Sequence, residues 1–370
     1  MSANRTTTPV VWHVGRHGEV AGGMTQVINA YLNWPFENLK VEVIPSRDGS
    51  RGVKALGLFF RAIWKILRLR GRRNRDAMVI HLSQDGSFVR EGALLTLAQL
   101  LGFGVVAQLH GSRFAEFSRR YPKLVRFVLS RATYVHVLSE ETRAIVAQTL
   151  APERIVYIPN AVATGRPGNK ENLAVFGGGV TYRKGVDVLA QAWEELQAES
   201  DTDPTLNVGA WKLVIAGPVI DAGVVPESLR NAEFVGALSH QALMDLLDRA
   251  AIAVLPSRDE AMPMFILEAL ARHCCVISTP VGGIANVLSD GRGMLTPAGD
   301  IQELRRALRC AISDDEARAG LAARGHASFA DTFSANVVYP KLAKLWLSIV
   351  NRPRAGNLSQ KRNFQGMTGE

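Results

Sequence analysis

Two glutamates, Glu260 and Glu268, bracket the stretch Glu260-Ala-Met-Pro-Met-Phe-Ile-Leu-Glu268, which follows the apolar run Ala251-Ile-Ala-Val-Leu255 and the stop Pro256-Ser257. The run predicts a buried parallel strand, so the first carboxylate falls in the loop at its C-terminal end and the second about one turn into the next helix. Open α/β sheets bind ligands at that edge. The loop-to-helix junction offers unpaired backbone N–H groups around Met264, Phe265 and Ile266, which suit a phosphate. A diphosphate held on peptide dipoles, flanked by carboxylates that accept hydrogen bonds from hydroxyls, is the group distribution of a nucleotide sugar.

Other segments carry weaker chemical signals. Gly22-Gly23 follows an apolar strand candidate and opens a helix near Thr25, where a backbone without side chains approaches a phosphate closely. A glycine pair after a strand is also a common turn. His110-Gly111 follows Val105-Val-Ala-Gln-Leu109, and a histidine at a strand end is often only a hydrogen-bonded structural residue. Phe176-Gly-Gly-Gly-Val-Thr-Tyr-Arg-Lys-Gly185 places Arg183 and Lys184 before a helix that runs from Val186 to about Leu196.

These residues need a scaffold, and the chain supplies alternating short apolar runs and helical patterns, which favours parallel sheets covered by helices. Strand candidates of a first domain are 10–14, 41–44, 77–81, 105–109 and 134–138. A second set comprises 173–176, 212–216, 233–235, 252–255, 275–278 and 293–295. Turn residues in Pro159-Asn160 and Gly165-Arg-Pro-Gly-Asn169 mark a linker, so the domains divide into 1–163 and 164–328. A helix then lies within 329–350, and the polar, basic remainder 351–370 has too little to bury and is expected to be disordered.

The chain has 370 residues, 47% of them hydrophobic and 21% charged, which is the composition of a globular protein large enough for two cores. No apolar stretch reaches the ~18 residues of a membrane span, and the polar start Met1 to Thr8 has no signal-peptide core, so the chain is expected to stay in the cytosol. The three cysteines, Cys274, Cys275 and Cys310, show no metal-ligand spacing and read as buried thiols without a disulfide. Residues 1–165 hold 22 Lys and Arg against 11 Asp and Glu, whereas residues 166–370 hold 21 against 23. Much of the excess lies between Phe59 and Arg75, where cations alternate with apolar residues at near-helical spacing. The segment reads as a basic amphipathic helix for an anionic membrane surface, with an ordinary surface helix or a nucleic-acid patch as alternatives.

With its flanks, Pro256-Ser-x-x-Glu260-x-x-Pro263-x-x-x-x-Glu268-Ala-x-Ala271 resembles the donor-site signature of retaining glycosyltransferases of family 4. Ser139-Glu140, Ile158-Pro-Asn160, Ala216-Gly217-Pro218, Phe234-Val-Gly236, Thr279-Pro-Val-Gly-Gly-Ile284 and Gly299-Asp300 match the same family in order. Ser83-Gln-Asp-Gly-Ser-Phe-Val-Arg90 and His110-Gly-Ser-Arg-Phe114 resemble segments of its bacterial exopolysaccharide and capsule branch. The resemblance implies an α/β GT-B fold: two Rossmann-like doubly wound domains, an interdomain cleft, and a C-terminal helix that crosses back to the first domain. It implies that Glu260, His110 and Lys184 act at the transferred sugar and diphosphate. Gly22, Gly23, Arg183, Met264, Phe265, Ile266 and Glu268 would hold the donor, and Ser87, Arg90 and Arg113 the acceptor. Donor and acceptor would be a nucleotide diphosphate sugar and a lipid-linked saccharide at the cytoplasmic face of an anionic inner membrane, with no nucleic acid partner, cofactor or metal. One departure stands out. The family usually has an arginine where this chain has Gly179, so Arg183 or the amides of the glycine-rich loop must supply the missing positive potential, and a non-catalytic scaffold that binds a nucleotide sugar is the alternative reading.

Overall fold

The computed structural model describes residues 8–18, 22–50, 52–166, 168–224, 226 and 228–350. The tail 351–370, expected to be disordered, lies outside the described residues. The fold is a two-domain α/β GT-B arrangement. One compact unit takes the residues up to Ile158 together with those from Pro340 onward, and the other runs from Pro159 to Tyr339. Residues 159–163 group with the second unit, where Val162 bridges to Ser334 and the Asn160 amide group donates to the Met262 carbonyl at 3.0 Å.

The first unit carries a parallel sheet of β1 (Val10–Arg16), β2 (Lys40–Arg47), β3 (Ala77–Leu82), β4 (Gly104–Leu109), β5 (Tyr134–Val137) and β6 (Ile155–Tyr157) in the order β2-β1-β3-β4-β5-β6. The third strand is wholly buried, as its unbroken Ala-Met-Val-Ile-His-Leu sequence requires for a strand covered on both faces. Strand β6 was not legible as a strand, because three residues leading into Ile158-Pro159 show no period.

In the second unit the strands are β7 (Glu171–Gly177), β8 (Lys212–Ala216), β9 (Ala232–Gly236), β10 (Ala250–Leu255), β11 (Cys275–Ser278) and β12 (Met294–Leu295), in the order β12-β11-β10-β7-β8-β9. Both sheets are parallel and both reverse their winding once, between β1 and β3 in the first and between β7 and β10 in the second. At such a point the following loops diverge to opposite faces, and the strand ends are left as a crevice.

A buried carboxylate anchors the edge of the first sheet. Asp76 accepts hydrogen bonds from the Val10 amide at 3.2 Å, Trp12 Nε1 at 2.9 Å and Arg72 Nε at 2.6 Å. The last helix, Ala335–Ile349, contributes Trp346 to this unit, where its ring meets His13, Tyr31 and Phe36. The cysteines are free, but Cys310 is exposed on the helix Ile301–Ser313 and not buried as its residue type predicts. Among the described residues no helix is long and apolar enough to cross a membrane.

The helix Gly52–Arg68 is apolar on two sides. Ala62 and Ile66 are buried, with Phe59 and Ile63 packed on the core, so the ordinary surface-helix reading holds for that face. A second stripe of Val53, Leu56, Phe60, Trp64 and Leu67 stays exposed, Val53 at 88% and Trp64 at 56%. The Arg68 guanidinium lies over the Trp64 ring, 4.4 Å from its centroid.

Replacing Asp76 with alanine should cost about 3 kcal/mol, since the Trp12 N–H and the Val10 amide would be left without acceptors in a dry setting. Urea unfolding of the Asp76→Ala variant measures this, and a loss below about 1 kcal/mol would show that water replaces the carboxylate.

Candidate functional site

Each winding reversal gathers chemically active side chains, and the one in the second unit is the denser. Glu260 leaves the end of β10, while Arg183 and Lys184 leave the end of β7 through the glycine-rich loop and the single turn Tyr182–Lys184. Gly185 ends that turn in the left-handed region at φ 70°, and a Cβ there would meet the Pro256 carbonyl oxygen at 2.0 Å. Only glycine lets the two strand-end loops approach so closely. Gly282 acts likewise on the far side of the glutamate: its φ is 55°, and a Cβ would lie 1.9 Å from the Glu260 carbonyl oxygen. The Gly283 amide donates to Ala261 at 2.7 Å, which fixes the loop.

The result is a convergent charge cluster. Glu260 Oε1 takes the Lys184 ammonium, Arg183 Nη1 at 3.3 Å and the Ser257 hydroxyl at 3.3 Å. Arg183 also donates to the Asp259 carbonyl at 2.6 Å. Lys184 is nearly buried, whereas Arg183 is half exposed, so the lysine is the stronger partner. Arg258, passed over in the sequence, supports both: it forks onto Asp187 at 2.7 Å through two nitrogens and donates to the Tyr182 carbonyl at 2.6 Å. At Gly179 a Cβ would sit 2.7 Å from Ile220 Cδ1, the tip of an exposed side chain that can swing away, so space does not account for the missing arginine.

Glu268 lies one turn into the buried helix Met264–Leu270. Met264, Phe265 and Ile266 form its first turn, no side chain caps that turn, and their side chains are buried. The Phe265 ring occupies the space where a Cβ on Gly177 would stand, 2.4 Å away. His240 Nε2 approaches Glu268 Oε1 at 2.9 Å. That hydrogen bond raises the His240 pKa against the opposing effect of partial burial. Nothing in the sequence paired these two, since twenty-eight positions separate them.

In the first unit, His110 follows β4 and ends a chain of imidazoles. His13 Nδ1 and His81 Nε2 are 2.8 Å apart, and His81 Nδ1 and His110 Nε2 are also 2.8 Å apart. Burial holds His13 and His110 down to about 3 and places His81 well below its ordinary value, with the neighbouring imidazoles acting in the same direction. All three are therefore neutral, each with one N–H and one lone pair. The protons must all point toward His110 or all toward His13. Pointing toward His13 would strand an N–H on its Nε2, which is buried without a partner beside Trp346, whose own Nε1 is equally unpaired. A stranded lone pair costs less than a second stranded donor, so His110 accepts at Nε2 and presents its Nδ1–H. One signal was available for this row of imidazoles: five of the eight histidines, His13, His17, His81, His110 and His136, fall on or directly after strands of one sheet.

The remaining residues singled out in the sequence lie at the same strand edge of the first unit. Gly22 caps the helix Gly23–Asn33 without a side-chain hydrogen bond, and the Cβ position at Gly23 is open. Ser87 and Arg90 both turn to the buried Glu91, Ser87 Oγ at 2.8 Å and Arg90 Nε at 3.0 Å. Arg113 pairs at 3.8 Å with Asp85, and both are exposed.

The chain is similar to known proteins in sequence and fold. Residues 15–161 match the family model described as Glycosyl transferase 4-like domain, and residues 171–314 match Glycosyl transferases group 1. An uncharacterised glycosyltransferase of Methanocaldococcus jannaschii is 28% identical over 167 residues, 44% of each chain. The 2-deoxystreptamine N-acetyl-D-glucosaminyltransferase of Streptomyces fradiae is 25% identical over 273 residues, 66% of this chain and 65% of that protein. The chain thus spans about half to two thirds of the length of these relatives. HepE of Anabaena, solved with UDP and glucose, superposes with a TM-score of 0.67 at 16% identity, covering 92% of this chain and all of that one.

A histidine whose folded pKa is raised contributes stability that is full below its unfolded value and vanishes as pH rises through the folded one. The His240–Glu268 pair should follow this course, holding below about pH 6.5 and loosening above the raised value. In an NMR titration His240 should titrate above the ordinary histidine value and fall back in Glu268→Gln; equal midpoints in both proteins would refute the pairing.

Proposed function

We propose that this chain, which belongs through residues 15–161 and 171–314 to the glycosyl transferase 4-like and group 1 glycosyl transferase families, transfers a hexose-type sugar from a nucleotide diphosphate sugar to an acceptor hydroxyl with retention of anomeric configuration. The observation that carries the reading is the convergence of Lys184, Arg183 and Ser257 on Glu260 at the β7/β10 reversal. Without a donor, cation and carboxylate neutralise one another. A nucleotide sugar has a partner for each: its diphosphate draws Lys184 and Arg183, and the sugar hydroxyls take the vacated Glu260 oxygen.

Within that reading Glu268 accepts the ribose hydroxyls and the amides at Met264, Phe265 and Ile266 hold phosphate. As the glycosidic bond breaks, negative charge grows on the departing diphosphate, where Lys184 and Arg183 stabilise it with no bound metal. The acceptor hydroxyl bonds to the anomeric carbon on the face the diphosphate leaves and gives its proton to the departing phosphate oxygen. His110, neutral and donating through Nδ1, then serves as a hydrogen-bond donor and not as a base. The UDP and glucose named for HepE fit this donor class.

The exposed stripe of the helix Gly52–Arg68 supports a membrane-facing reading, in which the first unit would lie on the cytoplasmic face of an anionic inner membrane and a lipid-linked saccharide of a surface or extracellular polysaccharide would be the acceptor. Val53, Leu56, Phe60, Trp64 and Leu67 supply the inserting side chains, while Lys54, Arg61, Lys65 and Arg68 supply the charge.

Three measurements test the proposal. A thermal-shift screen of UDP-, GDP- and dTDP-sugars should reveal one stabilising donor; Glu268→Ala should abolish that shift, and Lys184→Ala should slow release of nucleoside diphosphate by about 10²–10³-fold. A donor shift that survives Glu268→Ala, or full turnover without Lys184, removes the site. Trp64 emission should move to the blue on mixing with vesicles containing phosphatidylglycerol and stay put with phosphatidylcholine alone; the same response to both, or none, rejects the membrane role.

A further inference from the structure

In the second unit the buried carboxylate of Glu268 depends on one side chain. Among the described residues only His240 meets it, Nε2 to Oε1 at 2.9 Å, and Oε2 forms no hydrogen bond. The nearby Arg272 guanidinium goes instead to the Glu268 backbone carbonyl at 3.3 Å and to an ion pair with Asp248 at 3.0 Å. A carboxylate in a dry setting with a single partner takes its orientation from that partner.

His240 is held in place by its own helix. The helix His240–Arg249 starts at Ser239, whose hydroxyl accepts the Ala242 amide at 3.2 Å. His240, Met244 and Leu247 recur at helical spacing and so share one face, and Met244 and Leu247 are buried. His240 is the half-exposed end of that stripe. Few charges compete for it. Strand β10, packed on this helix, is apolar throughout; β7 brings Glu171, which pairs with Arg249 at 3.2 Å; and Asp245 on the same helix takes Gln241 Nε2 at 2.7 Å. The hydrogen bond to Glu268 raises the His240 pKa, burial opposes it, and Arg272 adds to the opposition.

We propose that His240 is the positioning residue through which Glu268 reads the donor's ribose, and that it thereby sets the preference of this chain for ribonucleotides over 2′-deoxyribonucleotides. The inference rests on the reading of Glu268 as acceptor of the ribose hydroxyls. An ionised carboxylate has about four acceptor positions. His240 takes one and fixes the plane of the group, which leaves Oε2 and the second lone pair of Oε1 for two hydroxyls. A site built to bond a hydroxyl rejects the analogue that lacks it, because its own polar group is then unpaired. A carboxylate free to turn away escapes that penalty, and the discrimination goes with it. Proton and ribose favour the same paired arrangement, so each strengthens the binding of the other. The preference is full while His240 is charged and declines as pH rises through its raised pKa.

Calorimetric titration of the full chain with UDP, GDP and their 2′-deoxy counterparts, at about pH 6 and about pH 9, tests this. The ratio within each pair cancels the titration of the nucleotide's own phosphate and any general loss of fold. Wild type should prefer the ribonucleotide at least about tenfold at the lower pH and less at the higher. His240→Ala should bind the two forms about equally at both. His240→Gln, whose Nε2 can take the place of the imidazole Nε2, should keep the wild-type preference at the lower pH and hold it at the higher. The inference falls if His240→Ala keeps the wild-type ratio or loses both forms alike, if the wild-type ratio is the same at both pH values, or if His240→Gln behaves as His240→Ala does. Glu268→Ala separates this inference from the donor reading, since it should bind the ribonucleotide no better than the deoxy form. If wild type binds none of the four nucleotides, or if Glu268→Ala keeps the ribose preference, the donor reading fails and takes this inference with it. A preference lost in Glu268→Ala but kept in His240→Ala overturns this inference alone.

Discussion

The contact between Glu260 and Lys184 is the one on which the candidate site depends. Neither residue could be held nearly dry alone, because a desolvated charge without a partner is costly. Their meeting requires the loop after β10 and the turn after β7 to come within a few ångströms of each other, and two glycines with positive φ, Gly185 and Gly282, permit that. Sheet topology sets the stage. Because winding reverses between β7 and β10, those two loops leave the sheet on opposite sides, and the crevice between them is where a ligand can reach both charges.

The first unit solves a different problem with the same topology. Its reversal between β1 and β3 brings His13 and His81 into line behind His110, so that a residue at the strand edge takes its tautomer from a side chain buried two strands away. Burial keeps the whole chain neutral. Next to it, Glu91 draws Ser46, Ser87 and Arg90 inward, while Arg16 and Arg47 form no ion pair among the described residues.

Legibility differed by element for physical reasons. The strands that are buried on both faces, such as Ala77–Leu82, broken only by His81, and Ala250–Leu255, are apolar runs and were readable. Three-residue β6 was not, since its pairing with β5 and not any period makes it a strand. The amphipathic reading of residues 59–75 captured the exposed stripe but not the inner face, because a helix apolar on two sides has its faces told apart only by what packs against them. At the site, Glu260 and Glu268 were visible through their place after a buried strand and, with Lys184, through the resemblance to the family's donor-site signature. Arg258 and His240 were not, because each acts through a partner far away in sequence.

By itself the sequence determined the alternation of strands and helices, the division into two cores, the loop that bears the paired glutamates, and the excess of cations in the first half. Those properties are local or cumulative along the chain. The tertiary structure decided which charges neutralise one another: that Lys184 reaches Glu260, and that Ser87 and Arg90 are spent on Glu91 while Arg16 and Arg47 form no ion pair among the described residues. Pairing depends on distance in a medium of low dielectric, and distance between strand ends is set by sheet order, which no local pattern encodes.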